Sequence, residues 1–185
     1  MIDQELKQAE EKMKKAVEVT REEFVGVRTG RASPALVQRI TVDYYGASTP
    51  LQQLAGVAVP DPRSLAITPY DRNAIAVIEK AIQASDLGIT PSNDGQTIRL
   101  NFPPLTEERR KELIKVVRDR AEHGRVAVRN VRRHAKDEIE REEKAGEVSQ
   151  DEMHRGEQQL QKLTDRFVAE IDDMLQRKEA ELMEV

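Results

Sequence analysis

The chain has 185 residues, of which 35% are charged and 3% aromatic, with no Trp, no Cys and a formal net charge of −4. That length holds one domain or two small ones. The lack of Cys excludes disulfides and thiolate metal sites, and the few aromatics favour long helices with narrow aliphatic seams over a wide core.

Residues 2–29 predict one long helix, because Ile2, Leu6, Ala9, Met13, Ala16, Thr20, Phe24 and Val27 recur at spacings of three and four. The acids of MIDQELKQAEEK leave no apolar run at its start, so no secretory signal is expected. No stretch of the chain stays uncharged long enough to span a bilayer. Gly30 and Pro34 of RTGRASP (28–34) end the helix and turn the chain. The period then changes to two. Ile40, Val42 and Tyr44 alternate with Thr41, Asp43 and Tyr45, which predicts a strand closed by Gly46. Val57 with Val59, and Leu65 with Ile67, predict two more strands on either side of Asp61-Pro62.

Asp71 is the expected N-cap of a helix over 72–85, with Ile75, Ile78 and Ile82 inward and Leu87-Gly88 as its stop. Asn93-Asp94-Gly95 predicts a turn, followed by a strand over 97–101 and a break at Pro103-Pro104. Thr106 caps a second long helix, with Glu107 and Glu108 in the first turn, where the helix dipole favours acids. It runs to Ala145 and stops at Gly146. Ser149 and Glu152 form a capping box, with Val148 and Met153 as its hydrophobic staple. The third helix has Met153, Gly156, Leu160, Leu163, Phe167, Ile171, Met174 and Leu182 as its seam.

The expected fold class is therefore α+β. Residues 1–29 and 106–185 form a long antiparallel three-helix bundle, and residues 30–105 form a small α/β domain inserted into it. The crossings fall at Thr29-Gly30-Arg31 and Pro103-Pro104-Leu105. Two parallel crossings restrict motion to rotation, which makes these six residues the expected hinge.

Charge is unevenly placed. Residues 106–146 hold 13 basic and 10 acidic groups, whereas residues 147–185 hold 5 and 11, so a polyanion should meet the former and avoid the latter. The excess concentrates in HGRVAVRNVRRHAK (123–136), which has no carboxylate. On a helix, Arg125, Arg129, Arg132, Arg133 and Lys136 fall within an arc of roughly 100°. Lys111, Arg118, Arg125 and Arg132 recur every seven residues, while Leu113, Val117, Gly124, Val128, Val131 and Ala135 line a separate packing flank. Most charged helix faces are simply solvated, but those interleave signs for i,i+4 pairing. From Arg125 to Arg133 every cation is Arg, whose planar fork suits phosphate. This pattern points to docking on a nucleic-acid backbone.

Together RTGRASP (28–34), DYYG (43–46), QQLA (52–55), KAIQASDLG (80–88), PPLTEERRK (103–111) and VAVRNVRR (126–133) give a chain that resembles the ribosome recycling factor family along its whole length. The resemblance implies an L-shaped two-domain protein of transfer-RNA-like outline that binds the post-termination ribosome. With elongation factor G and GTP hydrolysis, such factors split the subunits and release messenger and deacylated transfer RNA. It implies large-subunit ribosomal RNA (rRNA) contacts at Arg132 first, then Arg129, Arg133 and Arg125, with a second basic cluster of Arg28, Arg31 and Arg110. A cytoplasmic monomer that acts without a membrane, metal or cofactor is expected. Gly124 and Gly156 stand where a helix former is expected, at a cost of about 0.5–1 kcal/mol each relative to Ala. His134 stands where an acid is usual, which leaves the stripe more basic.

Enzymatic activity is not expected. His123, His134 and His154 have no metal-binding spacing, no GxxxxGK[ST] occurs, and Gly30 lacks a dinucleotide-site setting. Tyr44, Tyr45 and Tyr70 are too few for a single-strand stacking platform. The alternative is a helical-bundle adaptor whose basic stripe meets an acidic protein partner.

Overall fold

The computed structural model describes residues 2–184; Met1 and Val185, the outermost residues of the expected bundle, lie outside this range. In chain order the elements are α1 (Ile2–Val25), α2 (Ala35–Gln38), β1 (Thr41–Tyr44), β2 (Ala47–Pro50) and β3 (Ala55–Asp61). They continue with β4 (Ser64–Pro69), α3 (Ile75–Ala84), β5 (Ser92–Asn93), β6 (Ile98–Asn101), α4 (Glu107–Lys144) and α5 (Gln150–Met183). The chain divides into two compact units, one made of residues up to Phe24 with Lys111–Glu184, the other of Val25–Arg110. The division falls further toward the long helices than the 29/30 and 105/106 boundaries read from composition.

In the first unit, α1, α4 and α5 bury stripes at helical spacing. These are Ala9, Met13, Val17, Thr20 and Phe24 on α1, Leu113, Val117, Ala121, Gly124, Val128, Ala135 and Ile139 on α4, and Gly156, Leu160, Thr164, Phe167, Ile171, Met174 and Leu182 on α5. Val131, expected on the packing flank, is only half-buried. The ion pairs Arg120–Glu23 and Arg118–Glu179 fix an up-down-up order, since α4 meets the end of both α1 and α5 near its own start. Helix α1 stops at Val25 rather than continuing to residue 29. Its last buried side chain is Phe24, and beyond it Arg28 turns to donate to the Pro103 carbonyl at 2.7 Å.

Gly124 and Gly156 are explained by packing. A Cβ on Gly124 would overlap the Thr20 hydroxyl and lie 3.2 Å from Ile171 Cδ1. A Cβ on Gly156 would lie 2.9 Å from Ile2 Cγ2. The helix-propensity cost of each glycine is thus offset by the close approach of neighbouring helices. Ends are closed as local chemistry dictates. Thr106 Oγ1 accepts from Arg109 N at 3.1 Å, Gly146 N donates to Glu143 O at 2.9 Å, and Ser149 and Glu152 complete their capping box at 3.1 and 3.2 Å.

The second unit holds a four-stranded antiparallel sheet in the order β3-β4-β6-β5 and a β1-β2 hairpin. The hairpin turns through Tyr45 (φ 50°) and Gly46 (φ 80°), two left-handed residues that match the right-handed twist of the strands. The core contains Val37, Val42, Leu51, Leu65, Ile67, Ile78, Ile82, Ile98, Leu100 and Phe102. Asp71 caps as expected, Oδ1 accepting from Asn73 N at 2.9 Å, but a 3-10 turn over Arg72–Ala74 precedes α3. Its Oδ2 accepts from the Tyr44 hydroxyl at 2.9 Å, tying β1 to that turn.

Candidate nucleic-acid interface

The seven-residue cation repeat of α4 meets a seven-residue acid repeat of α5 that runs the other way: Glu179, Asp172 and Asp165. Arg118 Nε donates to Glu179 Oε1 at 2.6 Å. Arg125 Nε donates to Asp172 Oδ1 at 2.7 Å, and its Nη1 to Glu122 Oε2 at 3.1 Å. The Arg125 side chain is only 18% exposed. Burial disfavours its charge, but the bonds to Asp172 and Glu122 outweigh that and raise its pKa above the ordinary guanidinium value.

The third rung is different. Gln161 stands between Arg132 and Asp165, accepting from Arg132 Nη1 at 3.5 Å and donating Nε2 to Asp165 Oδ1 at 2.8 Å. Among the described residues Arg132 has no carboxylate partner. The acidic helix therefore neutralises Arg118 and Arg125 and leaves Arg132 charged and uncommitted. Sequence reasoning placed Arg125 on the presented stripe; the structure makes it a tie between α4 and α5.

The remaining row is Arg129, Arg132, Arg133 and Lys136. Arg129 is 47% exposed and 3.6 Å from Glu122, while Lys136 is 44% exposed and 3.7 Å from Glu140. These two carboxylates flank the acid-free segment, one at each end. Arg133 is exposed, and among the described residues it makes no hydrogen bond or ion pair. His134 beside it is exposed as well. Exposed pairs at such distances contribute little and exchange readily for a better anion. Three guanidinium forks within little more than a turn can engage successive phosphates.

The second predicted cluster lies in the other unit. Arg28 is half-buried, donates to Pro103 O, and stacks 5.7 Å from the Phe102 ring centroid. Burial, and secondarily the nearby Arg109 charge, push its pKa down. Nε of Arg28 and Nε of Arg110 are buried with no hydrogen-bond partner. Arg28 thus clamps two crossing segments, and Arg31, three residues further on, is exposed. Of the six expected hinge residues, Gly30 (φ 84°) packs against Leu105, whose Cγ lies 3.5 Å from where a Cβ would be. Thr29, Arg31, Pro103 and Pro104 belong to the same unit as these two.

Among the described residues no helix is long and apolar enough to cross a membrane. The fold and the cation row define a class: a three-helix bundle carrying an inserted α+β unit, with arginines held out from one helix. Residues 20–183 match the family model for Ribosome recycling factor, and the chain belongs to that family. It is 58% identical to the ribosome-recycling factor of Thermobifida fusca and 56% identical to that of Bacillus pumilus, each over 100% of both chains. A solution structure of the ribosome recycling factor is similar at a TM-score of 0.84 and 45% identity, covering 100% of this chain and 98% of that one. A structure of the T. thermophilus ribosome recycling factor and the E. coli elongation factor G bound to the E. coli post-termination complex is similar at a TM-score of 0.70 and 46% identity, covering 100% of both chains.

Proposed function

We propose that this chain recycles ribosomes after termination: with elongation factor G and GTP hydrolysis, it dissociates the subunits so that messenger and deacylated transfer RNA leave. The observation that carries this reading is the row of Arg129, Arg132 and Arg133, which α5 leaves without strong carboxylate partners, in a chain of this family. The row grips large-subunit rRNA through phosphates, with Arg132 as the principal contact. Arg28, Arg31 and Arg110 add a second cationic surface. Arg125 contributes through packing more than through contact.

The GTPase chemistry belongs to the partner, and this chain works as a cytoplasmic, non-enzymatic monomer without cofactor. The bundle, residues 1–29 and 106–185, is the RNA-holding domain, and residues 30–105 are the domain displaced by elongation factor G. Thr29-Gly30-Arg31 and Pro103-Pro104-Leu105 carry the hinge between them.

The test is to add the protein to post-termination ribosomes with elongation factor G and GTP and follow free subunits by light scattering. Splitting that requires all three components is expected. No splitting, together with little RNA affinity that is unchanged by Arg132→Ala, is the outcome expected of an adaptor and overturns this reading.

A further inference from the structure

The charged row borders a cavity of about 400 Å³ between α4 and α5. Arg132 and Lys136 form one wall, His154, Gln158 and Gln161 the other, and the buried Leu160 lies between them as an aliphatic floor. Residues 154–162 differ from the rest of α5: they carry Arg155, Lys162 and His154, with Glu157 as the single carboxylate. Asp151 and Glu152 precede this stretch in the first turn, and most of the acids that make α5 negative follow it, from Asp165 onward. Among the described residues His154, Glu157 and Gln158 make no hydrogen bond or ion pair, so their polar groups are open to a ligand.

We propose that this groove receives one unpaired nucleotide of the RNA whose backbone lies on the arginine row. The inference rests on the ribosomal-RNA reading above and extends the footprint from α4 to α5. The cations at the rim suit the phosphate, while the interior suits a base. An amide presents a donor and an acceptor side by side, as base edges do. An imidazole and a guanidinium offer flat faces for stacking, and Leu160 offers apolar contact. Glu157 repels a phosphate but accepts from an exocyclic amine, so its place in the groove favours a base there. Recognition of a splayed-out base by stacking and edge hydrogen bonds is how proteins read unpaired RNA.

The experiment measures binding to purified large ribosomal subunits across roughly 50–200 mM salt, with base-specific chemical probing of their RNA. Gln158→Ala is expected to weaken binding about three- to tenfold, the loss of a neutral hydrogen bond, with the salt slope unchanged. One unpaired base protected by the parent protein should regain reactivity. Arg132→Ala should weaken binding and also flatten the slope by about 0.7–0.9. If Gln158→Ala and His154→Ala both bind and protect as the parent does while Arg132→Ala is weakened, the groove proposal is overturned and the ribosomal reading stands. If Gln161→Ala flattens the slope and Gln158→Ala does nothing, Gln161 only braces Arg132, which also overturns it. If Arg132→Ala too is without effect, the ribosomal reading fails as well.

Discussion

Arg125 of α4 and Asp172 of α5 meet at 2.7 Å, and this pair separates the cations that hold the bundle together from those that remain available. Seven residues further along α4 the corresponding Arg132 meets only the amide oxygen of Gln161, at 3.5 Å. A single heptad stripe thus serves two purposes. Replacing Arg125 with Ala should lower stability by about 1 kcal/mol in urea unfolding, and Asp172→Asn should lower it by a similar amount. The double variant should lose less than the sum, because one interaction is being removed twice.

Gly124→Ala should destabilise the protein despite the higher helix propensity of Ala. The gain of about 0.5–1 kcal/mol from propensity is opposed by a methyl group overlapping the Thr20 hydroxyl, and overpacking of this kind costs about 1–3 kcal/mol. Thr20 cannot simply rotate away, since its hydroxyl donates to Ala16 O at 2.9 Å. Adding Thr20→Ala should recover much of the loss. A midpoint in thermal unfolding higher than the parent's for Gly124→Ala alone contradicts this packing account.

The start of α5 should depend on its capping box. Ser149→Ala removes the acceptor for Glu152 N and should cost about 1 kcal/mol in chemical unfolding. Ser149→Asp, which keeps an acceptor and adds charge at a helix N-terminus, should cost much less.

Glu142 makes a pH prediction. One of its carboxylate oxygens is buried without a partner. Burial, and next the Glu5 charge, hold its pKa above the ordinary carboxylate value. The folded state therefore binds this proton more tightly than the unfolded chain does. Its contribution is favourable below the ordinary Glu range and is lost as pH rises through the raised value. Glu142→Gln should accordingly stabilise the protein slightly near neutral pH, with no gain in acid. Equal effects at both pH values rule the titration out.

Features fixed by neighbours in sequence were legible from the sequence itself. The Thr106, Asp71 and Ser149 caps, most of the apolar seams and the break after the first helix each depend on a few adjacent residues, although Val17 and Thr164 are buried where Ala16 and Leu163 were expected. β2 was missed because Ala-Ser-Thr-Pro shows no alternation, and its conformation comes from pairing with β1 across Tyr45-Gly46. The two-residue β5 likewise exists only through its partner β6. The pairing of Arg125 with α5 was not legible for a related reason: nothing within α4 tells which of its flanks α5 covers. A signal did exist, in Asp165, Asp172 and Glu179 repeating the cations' spacing, and in Gln161 interrupting it. Gly124 and Gly156 read as weak points along one helix, and their role appears only once a second helix lies against them.

The most direct test of the central claim compares the salt dependence of large-subunit binding for the parent protein, Arg125→Ala and Arg132→Ala. Arg125→Ala should keep the parent slope and nearly the parent affinity. Arg132→Ala should bind about five- to a hundredfold more weakly, with a slope shallower by about 0.7–0.9. Equal losses from the two variants, or a parent slope retained by Arg132→Ala, contradict the assignment of free and committed arginines.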